Sequence, residues 1–502
     1  MAIRKLLIAN RGEIAVRILR AARELGIATV QVVSKADHDM LAARLADEVV
    51  EIGPPPAAKS YLNRDAILDA ARRTGADAIH PGYGFLSENA DFAAAVEQAG
   101  LVFVGPRSQT IRLMGDKAAA REAAAKAGVP TVPGSAGRVE EGEALDQAGA
   151  IGFPVMIKAA AGGGGKGLRF VEHEKDLASS VRTVASEAKA SFGDGRFYVE
   201  KFVNKPRHIE VQVFADHKGN TVHVFERECS IQRRHQKVVE ESPSPFVTPE
   251  MRQKMGEVAV RAAKAVNYLG AGTIEFLVDA DRNFYFLEMN TRIQVEHPVT
   301  ELVTGIDLVK TQIEVAAGAP LPFKQSDLSQ KGWAIECRVY AEDPDQGFAP
   351  APGKIETLRL PEGPGVRSDC GVYEGYEVPV YYDPMISKLA TWGRDRTEAI
   401  DRMRRALGEF AIAGALVTNL DFHRWIVNHP RFQKGDFDTS FIAQEFPPAA
   451  EKATQDPIRA AAILLAAAAT HAEGNSSSRR TIETGRAAAQ WKTAGRYDSL
   501  RR

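Results

Sequence analysis

The run Phe153-Pro-Val-Met-Ile-Lys158 reads as a strand that delivers Lys158 to the base of a loop, Ala159-Ala-Ala-Gly162-Gly-Gly-Gly165-Lys166-Gly167. Consecutive glycines let backbone N–H groups close on an anion, and the two flanking lysines add positive charge. That is phosphate chemistry, although it is not the GxxxxGK[ST] loop that opens a helix. Taken alone, the segment also fits a flexible surface loop. Lys117, after Met114-Gly115-Asp116 at a helix start, is a second phosphate candidate, or else a solvated lysine.

Two runs, Thr273-Ile-Glu275-Phe-Leu-Val-Asp279 and Phe284-Tyr-Phe-Leu-Glu288-Met-Asn290, flank turn residues and predict an antiparallel hairpin. A turn centred on Asp281-Arg282 places Glu275 opposite Glu288, with Asn290 on the same face and Leu277 opposite Phe286. Alternation assigns Phe276, Val278, Tyr285 and Leu287 to the other face. Carboxylates opposed at roughly 5 Å disfavour a sheet unless a cation lies between them. Two carboxylates and an amide near a phosphate loop suit Mg²⁺ or Mn²⁺ bound with a nucleotide. A solvated acidic face is the alternative.

Downstream, Asn290-Thr-Arg292-Ile-Gln-Val-Glu296-His297-Pro298 gathers an amide, a guanidinium, a carboxylate and an imidazole. Arg292 suits a bidentate oxyanion such as bicarbonate, and Glu296 suits general-base work. The basic segment Cys229-Ser-Ile-Gln-Arg233-Arg234-His235-Gln-Lys237 resembles a nucleic-acid patch, but Glu240 and Glu241 follow it, so an anion-binding cleft fits better. Arg207-His208-Ile-Glu210-Val-Gln212 alternates as a half-buried strand and aims His208, Glu210 and Gln212 at one face. His208 by itself is as readily a core histidine.

These residues need a scaffold, and 502 residues with 44% hydrophobic and 26% charged content supply several domains' worth. Residues 6–9, 28–33, 76–79 and 101–104 read as strands, alternating with helices at 13–25, 65–73 and 88–99. That alternation predicts a doubly wound parallel sheet. No GxGxxG follows the first strand, which excludes a nicotinamide site. Mixed α+β patterning continues to about residue 330, with a helix at 116–127. Strands at 334–340 and 354–360 and a helix at 397–409 follow. The last stretch holds a plausible helix at 460–470 and the linker Gly474-Asn-Ser-Ser-Ser.

A formal net charge of −1, from 64 Lys+Arg against 65 Asp+Glu, shows no basic excess for nucleic acid or membrane. No stretch approaches the roughly 18–20 apolar residues of a membrane span, and the first apolar run is too short for a signal peptide. Cys229, Cys337 and Cys370 lack zinc spacing and predict buried free thiols in a cytoplasmic chain.

Taken together, these segments resemble the biotin carboxylases of the ATP-grasp superfamily over roughly residues 2–445. The motifs are Ile8-Ala-Asn-Arg-Gly-Glu-Ile-Ala, His80-Pro-Gly-Tyr-Gly-Phe-Leu-Ser-Glu-Asn89, residues 162–167, Arg233-Arg-His-Gln-Lys-Val, Glu288-Met-Asn-Thr-Arg-Ile-Gln-Val-Glu-His-Pro, Glu336-Cys-Arg-Val-Tyr-Ala-Glu-Asp-Pro344 and Tyr381-Tyr-Asp-Pro-Met-Ile-Ser-Lys388. The resemblance implies an α/β and α+β fold: a pre-ATP-grasp domain at 1–115, an ATP-grasp domain at 116–330 with a mobile glycine-rich lid near 132–203, a mixed β/α domain at 334–445, and a tail at 446–502 that docks a partner or is disordered.

By the same resemblance, Lys117, Lys158 and His208 bind ATP phosphates under Gly163, Gly164, Gly165, Lys166 and Gly167. Glu200, Lys201, Val203, Gln232, His235 and Leu277 form the nucleotide pocket. Glu275, Glu288 and Asn290 hold two Mg²⁺ or Mn²⁺ ions. Arg292, Gln294 and Val295 bind bicarbonate, Glu296 deprotonates it, and Lys237 holds carboxyphosphate. Arg338 stabilises the ureido oxygen of biotin, with Tyr83 nearby. The chain lacks the Ala/Val-Met-Lys-Met turn that carries covalent biotin and has no length for a carboxyltransferase. A biotin carboxyl carrier protein and a carboxyltransferase are therefore expected as separate chains, or as parts cut away from this one, with a homodimer implied by family. Another ATP-grasp ligase, or a non-catalytic ATP-binding scaffold, are the competing readings.

Overall fold

The strand Lys5–Ile8 is buried on both faces, which is why it reads as an apolar run without alternation. Leu6 and Ile8 enter a core shared with Ile14, Ile18 and Leu19 of the helix Gly12–Glu24. Leu7 enters the opposite core, with Ile67 of Arg64–Thr74 and Phe92 of Ala90–Gln98. Asn63 and Asn89 cap those two helices by accepting the backbone N–H of Ala66 and Phe92. The result is the expected doubly wound sheet: five parallel strands ordered Glu48–Glu51, Ala28–Val33, Lys5–Ile8, Ala78–His80, Val102–Phe103.

This computed structural model describes residues 2–135, 137, 139–159, 168–192 and 195–447. The chain divides into two compact units, Met1–Phe446 and Pro447–Arg502. The glycine loop with Gly163, Gly164, Gly165, Lys166 and Gly167 lies outside the described residues, as does the tail beyond Pro447 with its predicted helix at 460–470.

A three-stranded sheet, Leu168–Val171, Val155–Ala159 and Phe197–Lys201, is covered by the helices Ala144–Ile151 and Leu177–Phe192. Val155, Ile157, Val181, Val184, Phe197 and Val199 give it a core of its own.

The dominant element is an eight-stranded antiparallel sheet, ordered Phe284–Asn290, Gly270–Val278, Arg207–Ala215, Thr221–Arg233, Gln236–Ser242, Trp333–Tyr340, Met385–Gly393, Val366–Cys370. Sequence patterning separates residues 116–330 from 334–445, yet Val239 pairs with Cys337 and Glu240 with Glu336, so one sheet runs through both. Along Arg207–Ala215, Ile209, Val211 and Val213 pack with the helix Pro249–Ala265. His208, Glu210 and Gln212 take the other face, as the alternation predicts. All three cysteines are buried and free. Among the described residues no helix is long and apolar enough to cross a membrane.

The first helix also meets the far end of this sheet. A methyl group added at Gly371, just after Val366–Cys370, would lie 2.5 Å from the Glu13 nitrogen and 2.7 Å from the Gly12 carbonyl carbon. Both are backbone atoms that no rotamer change relieves. Gly371→Ala is expected to lower stability by roughly 1–3 kcal/mol, read as a shift of the urea midpoint. An unchanged midpoint would mean that the helix can back away freely.

Candidate active site

One cavity of about 990 Å³ opens between the small sheet and the edge of the large one. One end is apolar, lined by Met156, Phe202, Val203, Leu277, Leu287 and Ile442. The other end is charged, lined by His208, Lys237, Glu275, Glu288, Arg292, Glu296 and Arg338. Lys158, Glu200, Lys201, Gln232, His235, Asn290, Gln294 and Val295 also line it.

Register explains the hairpin wall. Thr273 pairs with Asn290, Ile274 with Met289 and Glu275 with Glu288, as the turn argument requires. Then the register slips, so Phe276 faces Phe286 and Leu277 faces Tyr285, not Phe286. Leu287 is the extra residue of this bulge. It therefore joins Leu277 on the cavity side rather than the opposite face, while Phe286 drops into the core with Phe276. Simple alternation misassigns these positions because a bulge inverts the facing of every residue beyond it.

Lys237 occupies the centre. Its ammonium donates to Glu210 Oε2 at 2.5 Å, Glu296 Oε1 at 2.7 Å, Glu275 Oε1 at 2.8 Å and Gln294 Oε1 at 3.0 Å. Glu210 also accepts from Arg227 Nε at 2.5 Å, and Arg227, fully buried, reaches Gln212, Thr273 and Thr300. Glu296 bridges two cations, since its Oε2 accepts from Arg338 Nη2 at 2.9 Å. Burial opposes its charge, but Lys237, Arg338 and Arg227 outweigh that and hold the carboxyl below the usual range.

Arg338 lies on the strand face of Glu336, yet its second carboxylate is Glu240 on the neighbouring strand, at 2.6 Å from Nε. Burial lifts the Glu240 carboxyl to about 7. Burial, with Glu240 beside it, lifts Glu336 well above the usual range, and among the described residues neither Glu336 oxygen has a hydrogen-bond partner.

The opposed carboxylates behave unequally. Glu275 is held well below its usual value despite burial, by Lys237 and by His208, whose Nε2 lies 3.2 Å from Oε2. The same contact lifts His208 against its burial. Asn290 Nδ2 donates to Glu275 at 2.9 Å. Glu288 is raised by burial and by the Glu275 charge opposite it. A divalent cation between them would relieve that repulsion, so this donor set fits one.

Arg292 donates to Glu88 and Asn290, each at 2.9 Å. Lys158 lies 2.5 Å from Glu200, which Arg121 also contacts. Lys201 turns its ammonium to the carbonyls of Gly152 and Phe153 instead of the cavity centre. Arg234 and His235 form the two-residue turn between Thr221–Arg233 and Gln236–Ser242, both at positive φ (51° and 65°). Such strain is retained where a turn must aim side chains into a site. Two predicted residues do not line the cavity. Lys117 begins the helix Lys117–Lys126, close enough for its charge to lower Glu288. The Tyr83 hydroxyl donates to Glu13.

Family models match three successive stretches of the chain. A family model for the biotin carboxylase N-terminal domain matches residues 2–111. One for the ATP-binding domain of the carbamoyl-phosphate synthase L chain matches 116–324, and one for the biotin carboxylase C-terminal domain matches 336–444. A biotin carboxylase of Nostoc is 55% identical over 441 residues, 88% of this chain and 98% of that protein. The chain belongs to the biotin carboxylase family. It is thus an ATP-dependent ligase of the ATP-grasp type. The propionyl-CoA carboxylase alpha chain of Ruegeria pomeroyi is 51% identical, over 93% of this chain and 72% of that one. A biotin carboxylase of Campylobacter jejuni, solved as a β-γ-ATP complex, superposes with a TM-score of 0.85 at 48% identity, over 88% of this chain and 99% of that one. The biotin carboxylase domain dimer of Hydrogenobacter thermophilus 2-oxoglutarate carboxylase, solved with MgADP, ADP and bicarbonate, has a TM-score of 0.83 at 46% identity, over 88% and 98% of the two chains.

Arg227 and the contribution of Thr439, Ser440 and Ile442 to the site were not legible in the sequence. Arg227 is one arginine in a polar strand, and only the partners of its buried face reveal it. The segment at 439–442 is distant in sequence and is brought in by the Thr439 N–H to the Pro206 carbonyl (3.1 Å) and by Arg207 to the Gly435 carbonyl (2.6 Å).

The depressed carboxyl of Glu296 has a thermodynamic consequence. Its folded value lies below its unfolded one, so its stabilising contribution is complete above roughly pH 4.3 and is lost as pH falls below that. The stability difference between the wild type and Glu296→Gln should change progressively in the direction unfavourable to the wild type as pH falls below ~4. Urea unfolding across pH checks this; a pH-independent difference would contradict the ion-pair assignment.

Proposed function

We propose that this chain catalyses the first half-reaction of a biotin-dependent carboxylase, making carboxybiotin on a separate biotin carboxyl carrier protein from ATP and bicarbonate. The observation that carries the reading is Glu296 held between Lys237 and Arg338, four residues along the chain from Arg292. The apolar end of the cavity, with Val203, Leu277, Gln232 and His235, suits a nucleobase. Lys117, Lys158, His208 and the 163–167 loop suit its phosphates. Glu275 and Glu288, with Asn290, would hold Mg²⁺ or Mn²⁺, which supplies charge neutralisation for phosphoryl transfer.

Arg292, Gln294 and Val295 position bicarbonate, and Glu296 takes its proton. A base paired with two cations is weak, so anionic substrate must draw Lys237 and Arg338 away before Glu296 acts. The bicarbonate oxygen attacks the γ-phosphorus, ADP leaves, and Lys237 holds the carboxyphosphate. The carboxyl then passes to the ureido nitrogen of biotin as the C–O bond to phosphate breaks; the departing phosphate takes the proton that the nitrogen loses, and Arg338 stabilises the ureido oxygen. The relatives are subunits of larger carboxylases, and we extend to this chain a carboxyltransferase partner and the dimer of the Hydrogenobacter domain.

The wild type should cleave ATP in a bicarbonate-dependent reaction stimulated by free biotin. Arg338→Ala is expected to lose roughly 100-fold or more of biotin carboxylation while retaining nucleotide affinity. Equal loss of both would remove Arg338 from the biotin step, and ATP cleavage indifferent to biotin would favour another ATP-grasp ligase. For the cation site, Mg²⁺ should raise the melting temperature of the nucleotide-free wild type and not that of Glu288→Gln. Equal stabilisation of both would place the ion elsewhere.

A further inference from the structure

Lys388 has a side chain with no solvent exposure and lies on the strand Met385–Gly393, outside the cavity lining. Its ammonium donates to the Val295 carbonyl at 2.8 Å. It also lies 3.2 Å from Glu13 Oε2 and 3.8 Å from Asp369 Oδ2. These partners come from three distant parts of the chain: the first helix, the edge strand Val366–Cys370, and the turn between Phe284–Asn290 and His297–Thr304. Each anionic partner is itself fixed. Tyr83 donates to Glu13 Oε1, and Arg367 donates to both oxygens of Asp369, at 2.9 and 2.8 Å.

Val295 is the residue before Glu296. Its carbonyl belongs to the rigid peptide plane that also contains the Glu296 nitrogen. Anchoring that carbonyl stops the plane from rotating and so sets where the Glu296 side chain departs, relative to Arg292 four residues earlier. Val295 lines the cavity, whereas its donor, Lys388, does not and comes from a strand distant in sequence. We propose that Lys388 is a positioning residue for the bicarbonate turn, holding Glu296 in register with Arg292 through the Val295 carbonyl. The inference rests on the bicarbonate reading given above.

The bland alternative is that Lys388 only balances the buried charge of Glu13 and Asp369. A charge-balanced double variant, Glu13→Gln/Lys388→Met, separates the two, because Asp369 keeps Arg367 as its partner while the Val295 carbonyl loses its donor. Positioning predicts that kcat/KM for bicarbonate in the ATP-cleavage assay falls at least about tenfold. The KM for ATP and the nucleotide affinity should stay within about twofold. Lys388→Arg, which keeps a cation and N–H donors, should retain more bicarbonate-directed activity than Lys388→Met. Wild-type bicarbonate kinetics in the double variant would overturn the proposal. So would parallel loss of ATP and bicarbonate parameters, which is what a disturbed fold gives. A wild type with no bicarbonate-dependent turnover would instead remove the functional reading on which the proposal stands.

Discussion

A single buried ammonium, that of Lys237, faces carboxylates from three separate pieces of chain: Glu210, Glu275 and Glu296. Charges taken out of water are costly unless paired and hydrogen-bonded, and removing one partner leaves the rest uncompensated. The surrounding architecture is arranged to keep that balance. Arg227 supplies a second cation to Glu210, His208 a partial one to Glu275, and Arg338 a second one to Glu296. The cluster is a set of anions and cations held in readiness, in which an incoming phosphate or carbonate exchanges partners without creating a bare buried charge. That is a physical rationale for concentrating so many ionised groups where apolar side chains would pack more stably.

The antiparallel sheet makes the cluster possible. His208, Glu210 and Gln212 share one face of a strand, Glu275 stands across from Glu210, and Lys237 and Arg338 arrive on the next strands along. The strands after residue 333 join the same sheet as those before it, so the groups read as nucleotide-binding and those read as biotin-binding form one surface. The opposite face is apolar and packs on Pro249–Ala265, which holds the charged face rigid. The Leu287 bulge adds the apolar wall beside the charges, giving one cavity two chemically distinct ends.

Behind the sheet, the first helix contributes Glu13 and Arg17, one turn apart, to a second buried ionic network. Arg17 reaches Glu301 and Asp307, and Glu301 is shared with Arg367. Burial lifts Glu13 to about 7, with Lys388 opposing, while Arg367 and Lys388 overcome burial to hold Asp369 at about 2. The N-terminal parallel sheet is thereby tied, through its helix, to the turn that carries Arg292 and Glu296.

Much of this was legible in the residues. The parallel sheet announces itself by apolar runs alternating with helical periodicity, because burial on both faces leaves no other pattern. The opposition of Glu275 and Glu288 follows from turn chemistry and the two-residue period of a strand. Composition showed no global basic excess, so anion binding had to be local, and the motif set pointed to the family. Tertiary structure alone decided the bulge at Leu287, since sequence period carries no mark of one inserted residue. It alone showed Glu240 and Glu296 as the partners of Arg338, because side chains pair across strands and strand neighbours are set by topology. It alone revealed Arg227 and Lys388, whose character depends on burial and on partners far away in sequence. Local sequence encodes periodicity and chemical type; which charges meet in the dark of the core is a property of the packed chain.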